Sequence, residues 1–297
     1  MTVEGALGDE LTQVAERAAT CVADQLRAAF RSRPEMDFKR DRHDPVTEHD
    51  RAAEAAIRAV ILDAVPDSRI VGEEGGAVGT GRVHWYVDPI DGTANFASGL
   101  AFFCTSVAAV VDDVVVAGAI YDPVRRDLFT AGPAGAFHNG TPLRSEGAAK
   151  ETEALLVSSY PNPRELRAEG DLALARLGRF ITEFRTTRRP GSAALSLAHV
   201  AAGWVDVALG LSVSAWDLAA GSLLVRQAGG RFLGLRPIDR MDDSPTGGPA
   251  GASPRGPACG PGTPSWQGPG YLATVGTLDP VGGVILDAFT ETHEVTW

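Results

Sequence analysis

Three stretches of this 297-residue chain gather carboxylates where its direction should change: Val71-Gly72-Glu73-Glu74, Val87-Asp88-Pro89-Ile90-Asp91-Gly92-Thr93 and Ala215-Trp216-Asp217-Leu218-Ala219-Ala220-Gly221. In the second, Pro89 fixes its own φ and biases Asp88 towards extended geometry, so a strand is expected to end there. Asp91 can fold back towards Asp88 if the chain between them turns, and Gly92 opens backbone conformations closed to other residues. Two carboxylates brought that close repel unless a proton or a cation lies between them. An all-oxygen donor set suits Mg²⁺ or Ca²⁺, with Mn²⁺ as an alternative, and no Cys/His spacing points to zinc or copper. A helix starting at Thr93 would turn the amides of Gly92 and Thr93 towards the same cavity, where they would hold phosphate oxygens. Metal carboxylates beside such amides suit phosphoryl transfer: metal neutralises the oxygens and activates water while amides hold the group in line. Singly, each piece has an ordinary explanation: a turn-capping DxxD, a solvated strand end at Glu73-Glu74, an N-cap at Asp217. Their occurrence together and in this order is the signal.

Periodicity supplies the elements that must position these groups. Apolar residues at helical spacing predict a helix over Leu11–Phe30, followed by a polar flap, Arg31–Asp44. Thr47 reads as the N-cap of a second helix running to about Ala64. Strand-like runs follow at Arg69–Gly72, Val83–Val87, Thr105–Val111, Val114–Tyr121, Asp127–Ala131 and Ala136–His138, with Asp112-Asp113 as a hairpin turn. A second half opens with a strand at Leu155–Tyr160. It continues with helices over Pro163–Leu177, Ser192–Ala202 and Leu218–Gln227 and a returning strand at Tyr271–Val275. Residues 1–150 thus form an α+β half with the first two carboxylate motifs, and 151–297 an α/β half with the third. Between Arg236 and Gly270 Gly and Pro dominate, and the segment (236–270) reads as a disordered insertion.

Composition narrows the partners. Lys and Arg number 27 against 38 Asp and Glu, a net charge of −11, which disfavours nucleic acid and means that an anionic substrate needs a bound cation. Hydrophobic residues at 44% support a sizeable core. Cys21, Cys104 and Cys259 form neither a disulfide framework nor a CxxC pair. No leader sequence is visible, and no apolar run approaches the roughly 18–20 residues of a membrane span. A soluble, cytoplasmic protein with no membrane partner is expected.

The ordered set GEE (Gly72–Glu74), DPIDGT (Asp88–Thr93) and WDLAAG (Trp216–Gly221) resembles the inositol monophosphatase family, Mg²⁺-dependent and lithium-sensitive phosphomonoesterases. DPVTEHD (Asp44–Asp50), YDPV (Tyr121–Val124), GSAA (Gly191–Ala194) and RQAGG (Arg226–Gly230) support it, and the resemblance runs from about Leu11 to Asp287. It implies a mixed α/β fold, a layered αβαβα sandwich, assembled as a homodimer. It also implies that Glu73, Asp88 and the Ile90 carbonyl hold a first Mg²⁺ and that Asp88, Asp91 and Asp217 hold a second, with Glu73 facing a third, weaker position. Mn²⁺ would substitute, and Ca²⁺ or Li⁺ would inhibit. The catalytic set is then Glu73, Asp88 and Thr93. Thr93, paired with Glu73 or Glu74, would orient the attacking water, and the Gly92 and Thr93 amides would cradle phosphate. Asp91, Gly191, Ser192, Ala193 and Gly210 would line the substrate pocket, with Lys39 on the flap and Asp50 and Glu74 behind the ligands.

One position departs from that pattern. Inositol-preferring relatives carry a Glu seven residues before the WD aspartate, contacting ring hydroxyls; here it is Gly210. The pocket is therefore expected to be roomier and more apolar. Loss of a charge-assisted hydrogen bond of about 1.5–3 kcal/mol changes substrate rank rather than chemistry. The leading expectation is a Mg²⁺-dependent phosphatase of a small phosphate monoester of the inositol, sugar or polyol class. Alternatives are a 3′(2′),5′-bisphosphate nucleotidase, a histidinol-phosphatase, a fructose-1,6-bisphosphatase, or a regulatory or binding module on the same scaffold.

Overall fold

The computed structural model of the chain describes residues 3–32, 34–35, 37–38, 45–237, 263–289 and 292–296. The expected first helix forms as two, α1 (Val3–Thr20) and α2 (Ala23–Ala29). At the junction Thr20 Oγ1 donates to Glu16 O (2.8 Å) and Cys21 Sγ to Ala18 O (3.1 Å), so side chains compete for carbonyls that a continuous ladder would use. Inside the expected flap, β1 (Asp37–Phe38) pairs antiparallel with β2 (Pro45–Val46); Lys39 lies outside the described residues. Thr47 then caps α3 (Glu48–Ala64) as its sequence suggests, with Asp50 completing a capping box.

The first sheet contains β3 (Ser68–Gly72), β4 (Gly76–Val78), β5 (Val83–Asp91), β6 (Cys104–Val111), β7 (Val114–Asp122), β8 (Asp127–Gly132), β9 (Gly135–His138) and β10 (Thr141–Pro142). Its order is β10-β9-β8-β7-β6-β5-β3-β4, antiparallel except for β3 against β5. The short α4 (Thr93–Ser98) follows β5. The second sheet, β12-β11-β13-β15-β14-β16, joins β11 (Leu155–Ser158), β12 (Thr186–Arg188), β13 (Val207–Leu211), β14 (Arg231–Pro237), β15 (Gly270–Thr274) and β16 (His293–Thr296). Every described residue of β13 is buried, so it lacks the alternation that marks a half-exposed strand in sequence.

Helices complete the layers. α1 and α3 cover one face of the first sheet, burying Leu11, Ala15, Ile57 and Ile61 against Trp85, Val107 and Ala117. α7 (Ala193–Ala201) and α8 (Ala215–Gln227) pack on each other and fill the space between the sheets. α6 (Asp171–Glu183) and α9 (Val284–Phe289) pack together beside the second sheet through Ala173, Phe180 and Phe289. The result is the expected αβαβα sandwich. The single helix expected over Pro163–Leu177 divides into α5 (Pro163–Glu169) and α6 because Gly170 adopts φ 57°, ψ −128°.

The Gly/Pro-rich segment is shorter than its composition suggests. Arg236 and Pro237 finish β14, where they pair with β16. On the returning side Ser265–Gln267 forms a 3₁₀ turn whose buried Trp266 meets Tyr86 edge to face at 4.9 Å, and Arg226 Nη2 donates to Ser265 Oγ at 2.7 Å. Residues 238–262 lie outside the described part.

Candidate metal centre

β5 does not stop at Val87 as expected; it continues to Asp91 through an irregularity. Asp88 pairs with Ser106 and Asp91 with Cys104, so three steps on β5 match two on β6. In a regular strand, residues three apart face opposite sides; one extra residue returns them to the same side. Pro89 tolerates the bulge because it has no amide to lose, and its carbonyl accepts from Thr105 Oγ1 at 2.9 Å. Gly92, at φ 97°, then turns the chain into α4, where a Cβ would lie 3.1 Å from Phe102 O and 3.2 Å from Phe103 Cβ.

Asp217 reaches the same point from α8. It occupies the third helical position rather than the N-cap expected for it: Ser214 is the cap, and its amide donates to Asp217 Oδ2 at 2.7 Å. Carboxylate oxygens of Asp88, Asp91 and Asp217 lie within 4.8 Å of one another. Glu73 stands outside that trio but within hydrogen-bonding reach of Asp88.

Each carboxylate is held from behind. Asp88 Oδ1 accepts from Ile90 N (3.0 Å). Asp91 Oδ2 accepts from Ser192 Oγ (2.6 Å) and Ala194 N (2.6 Å) at the start of α7. The Ser192–Ala194 stretch, expected to line the substrate pocket, thus directs its hydroxyl and amides to a metal-site carboxylate. Gly191 turns at φ 91° beside Asn95, whose Nδ2 donates to Pro190 O (2.6 Å).

Burial dominates the electrostatics. It pushes Asp88, 2% exposed, well above the ordinary carboxylate range, reinforced by the charges of Glu73, Asp91 and Asp217. It pushes Asp217 in the same direction, with Asp91 and Glu73 adding to it. Asp91 rises only to about 6, because hydrogen bonds from Ser192 and Ala194 favour its charged form. Oxygen donors only, crowded carboxylates and fixed orientation fit a hard divalent cation. Asp88, Asp91 and Asp217 would hold it, with Glu73 beside Asp88.

Thr93 is where the sequence reading needs correction. Its hydroxyl is paired with neither Glu73 nor Glu74. It donates to Asp50 Oδ1 (2.9 Å) or to Ile90 O (3.0 Å). Asp50 is fully buried, and its other oxygen accepts from Thr47 N (2.8 Å) and Thr47 Oγ1 (2.6 Å). The helix cap and the partner of Thr93 are therefore one carboxylate.

Glu54 was missed. It is buried at 3% exposure and accepts from Glu74 N (2.7 Å), Gly75 N (2.9 Å) and Arg58 Nε (2.8 Å), fixing the turn that presents Glu73. A Cβ at Gly72 would sit 2.5 Å from its carboxylate. Its sequence signal was its place one helical turn after Asp50, on the same face of α3.

The space expected at Gly210 is filled. Gly210 pairs with Tyr271 on β15, and a Cβ there would come within 2.5 Å of the Tyr271 ring. The wall there is aromatic, and the ring takes up the room that a glycine suggested.

A three-layer core flanked by helices, with a carboxylate cluster where a bulged strand, a helix start and a strand-end turn converge, defines a phosphatase-type scaffold. Residues 8–255 match the inositol monophosphatase family, and the chain belongs to that family. It is 38% identical over 209 residues to the Nus factor SuhB of Xylella fastidiosa, covering 69% of this chain and 75% of that one. Among solved structures it resembles the inositol monophosphatase of Anabaena (TM-score 0.72, 27% identity, 95% and 96% coverage). It also resembles SuhB of Mycobacterium tuberculosis (TM-score 0.68, 30% identity, 95% and 96% coverage). Among the described residues no helix is long and apolar enough to cross a membrane.

Proposed function

We propose that this chain is a Mg²⁺-dependent phosphatase of small phosphate monoesters. The observation that carries this reading is the convergence, on one bulged turn, of the Asp88/Asp91/Asp217 cluster and the Thr93–Asp50 hydrogen bond. A cation bound by that cluster would supply positive charge to the phosphate oxygens and to the departing alkoxide. Thr93 gives its proton to Asp50 or Ile90, so its oxygen remains an acceptor that can hold a water in line with phosphorus. Asp50, two bonds further from the substrate, is the natural destination for the proton that water loses. The amides of Gly92 and Thr93, at the start of α4 where no intrahelical acceptor exists, would hold phosphate oxygens. Ser192 and Ala194 keep Asp91 from rotating out of the cluster. A homodimer, a cytoplasmic location, inhibition by Li⁺ or Ca²⁺ and indifference to nucleic acid belong to the same reading and rest on family and composition.

A regulatory role is the second reading, favoured by the name Nus factor that the SuhB relatives carry. The experiment is phosphate release, with Mg²⁺ and with EDTA, from inositol 1-phosphate, glycerol 2-phosphate, histidinol phosphate, fructose 1,6-bisphosphate and adenosine 3′,5′-bisphosphate. Metal-dependent release, reduced roughly 100-fold in Thr93→Val, is the expected result. A folded protein that binds Mg²⁺ and releases phosphate from none of them would favour the regulatory reading.

A further inference from the structure

Tyr271 sits on β15, the strand between β13 and β14, and both residues paired with it are glycines: Gly210 on one side and Gly234 on the other. Directly paired residues of antiparallel strands project on the same face, so the two missing side chains leave this ring its room. The ring leans over Gly210, where a Cβ would lie 2.5 Å from Cε1 and 3.3 Å from both Cδ1 and Cζ. Phe232 stacks parallel to it, with centroids 6.0 Å apart and planes 2° from parallel. The ring is clamped, and the residue is only 3% exposed.

Among the described residues the Tyr271 hydroxyl has no hydrogen-bond partner, yet it is not one of the fully buried unpartnered polar atoms, so the oxygen is the part of the side chain that reaches open space. The stacked Phe232 lies beneath Arg226 near the end of α8 (5.7 Å), and Tyr271 lies towards the end of β13 from which the chain passes to Ser214 and Asp217. The ladder runs on from Gly210–Tyr271 to Leu211–Gly270, and Val213 N donates to Pro269 O at 3.1 Å. The segment leading to Ser214 and Asp217 therefore leaves the sheet alongside this ring. Burial first, then the charges of Asp91 and Asp217, hold the phenol proton on.

We infer that Tyr271 is a specificity-determining residue of the substrate site, its hydroxyl meeting an oxygen on the alcohol part of the ester. This rests on the phosphatase reading above. A neutral phenol gives and accepts one hydrogen bond without adding to the negative field of the cluster. It therefore selects esters whose carbon skeleton bears a hydroxyl next to the phosphate-bearing carbon, over bare alkyl esters. Gly210 is small because the ring needs its space.

The test compares kcat/KM for glycerol 2-phosphate with that for isopropyl phosphate, the same branched ester without either hydroxyl, at saturating Mg²⁺. Tyr271→Phe, which removes one oxygen and keeps the packing, should lower the preference for glycerol 2-phosphate about 5- to 10-fold. Gly210→Ala, which must displace the ring, should lower the same preference. An unchanged ratio in active Tyr271→Phe would overturn the assignment and leave the phosphatase reading standing. Absence of metal-dependent release by folded native protein, from these esters and from the wider set above, would overturn both.

Discussion

Replacing Asp217 by Asn separates a poised charge cluster from a set of helix and turn caps. The Asn oxygen can still accept from Ser214 N, a 2.7 Å bond in the native protein, so the start of α8 is kept. What disappears is one of three carboxylates whose oxygens lie within 4.8 Å of one another. Two full charges at that spacing repel by about 3.5 kcal/mol at an effective dielectric of about 20. Burial, separately from that repulsion, moves Asp91 from 3.8 to about 6. Ionising it in place costs about 3 kcal/mol. Partial protonation relieves some of this, so the variant should be more stable than the native protein by about 1–3 kcal/mol without metal. For a chain of this size that is a rise of about 2–5 °C in the unfolding midpoint.

With Mg²⁺ the order reverses, because ligand binding stabilises only a fold that can hold the ion. The sign of the pH dependence follows as well. A carboxylate raised in the fold keeps its proton longer there than in the unfolded chain. Metal-free native stability should therefore fall as pH rises from 3.8 to about 6, and more gently in the variant. The assay is thermal unfolding of both proteins in EDTA and in saturating Mg²⁺ near neutral pH, alongside phosphate release. Turnover should drop roughly 100-fold. A variant less stable than native in EDTA would make Asp217 a cap and nothing more. A full Mg²⁺-induced rise in the variant would take Asp217 out of the cation site.

Two further predictions test the supports. Glu54→Gln weakens the grip on the Glu74 and Gly75 amides and should raise the Mg²⁺ concentration for half-maximal thermal stabilisation about 10-fold; an unmoved midpoint would leave Glu54 a fold residue only. His199 has a buried Nε2 without a partner among the described residues and lies against Phe102 and Trp204. Burial lowers its pKa from 6.5 to about 4, so stability present above 6.5 is lost as pH falls towards 4, by up to about 3 kcal/mol. The difference in acid unfolding between native protein and His199→Phe should show that limb, and parallel curves would refute it.

What the sequence disclosed of the fold and site depended on how local the signal was. Thr47 and Asp50 stand three residues apart, so the cap of α3 was readable from spacing alone. The carboxylate motifs were readable for the same reason, each lying within one short run. What stayed hidden was set by contacts across the chain. Thr93 and Asp50 are 43 residues apart, and nothing in either motif says that the hydroxyl turns towards α3 rather than towards the nearer Glu73-Glu74. Tyr271 fills the space over Gly210 through a strand pairing that spans the Gly/Pro-rich segment, so a glycine that suggested a vacancy in sequence marks a packed ring in space. The bulge at Pro89 misled in a different way. Proline was read as the end of a strand, but on a bulge its missing amide is no loss, and the strand proceeds to Asp91.

The same comparison resolves an apparent choice between structural and chemical roles for these carboxylates. Asp50 lies in the first turn of α3 and Asp217 in the first turn of α8, each completing a capping box. Asp91, from a strand, docks onto the first turn of α7 through Ser192 and Ala194. Three helix starts, with their unsatisfied amides and partial positive charge, therefore converge on the acidic cluster. That convergence lets the fold tolerate crowded, buried carboxylates before any cation binds, and it fixes each one's orientation through bonds to the backbone. Capping and metal holding are then two uses of the same oxygens: one oxygen of Asp91 and of Asp217 is tied to a helix start while the other remains for a ligand. A carboxylate-to-amide change keeps the first use and removes the second, which is why Asp217→Asn, rather than Asp217→Ala, is the informative substitution.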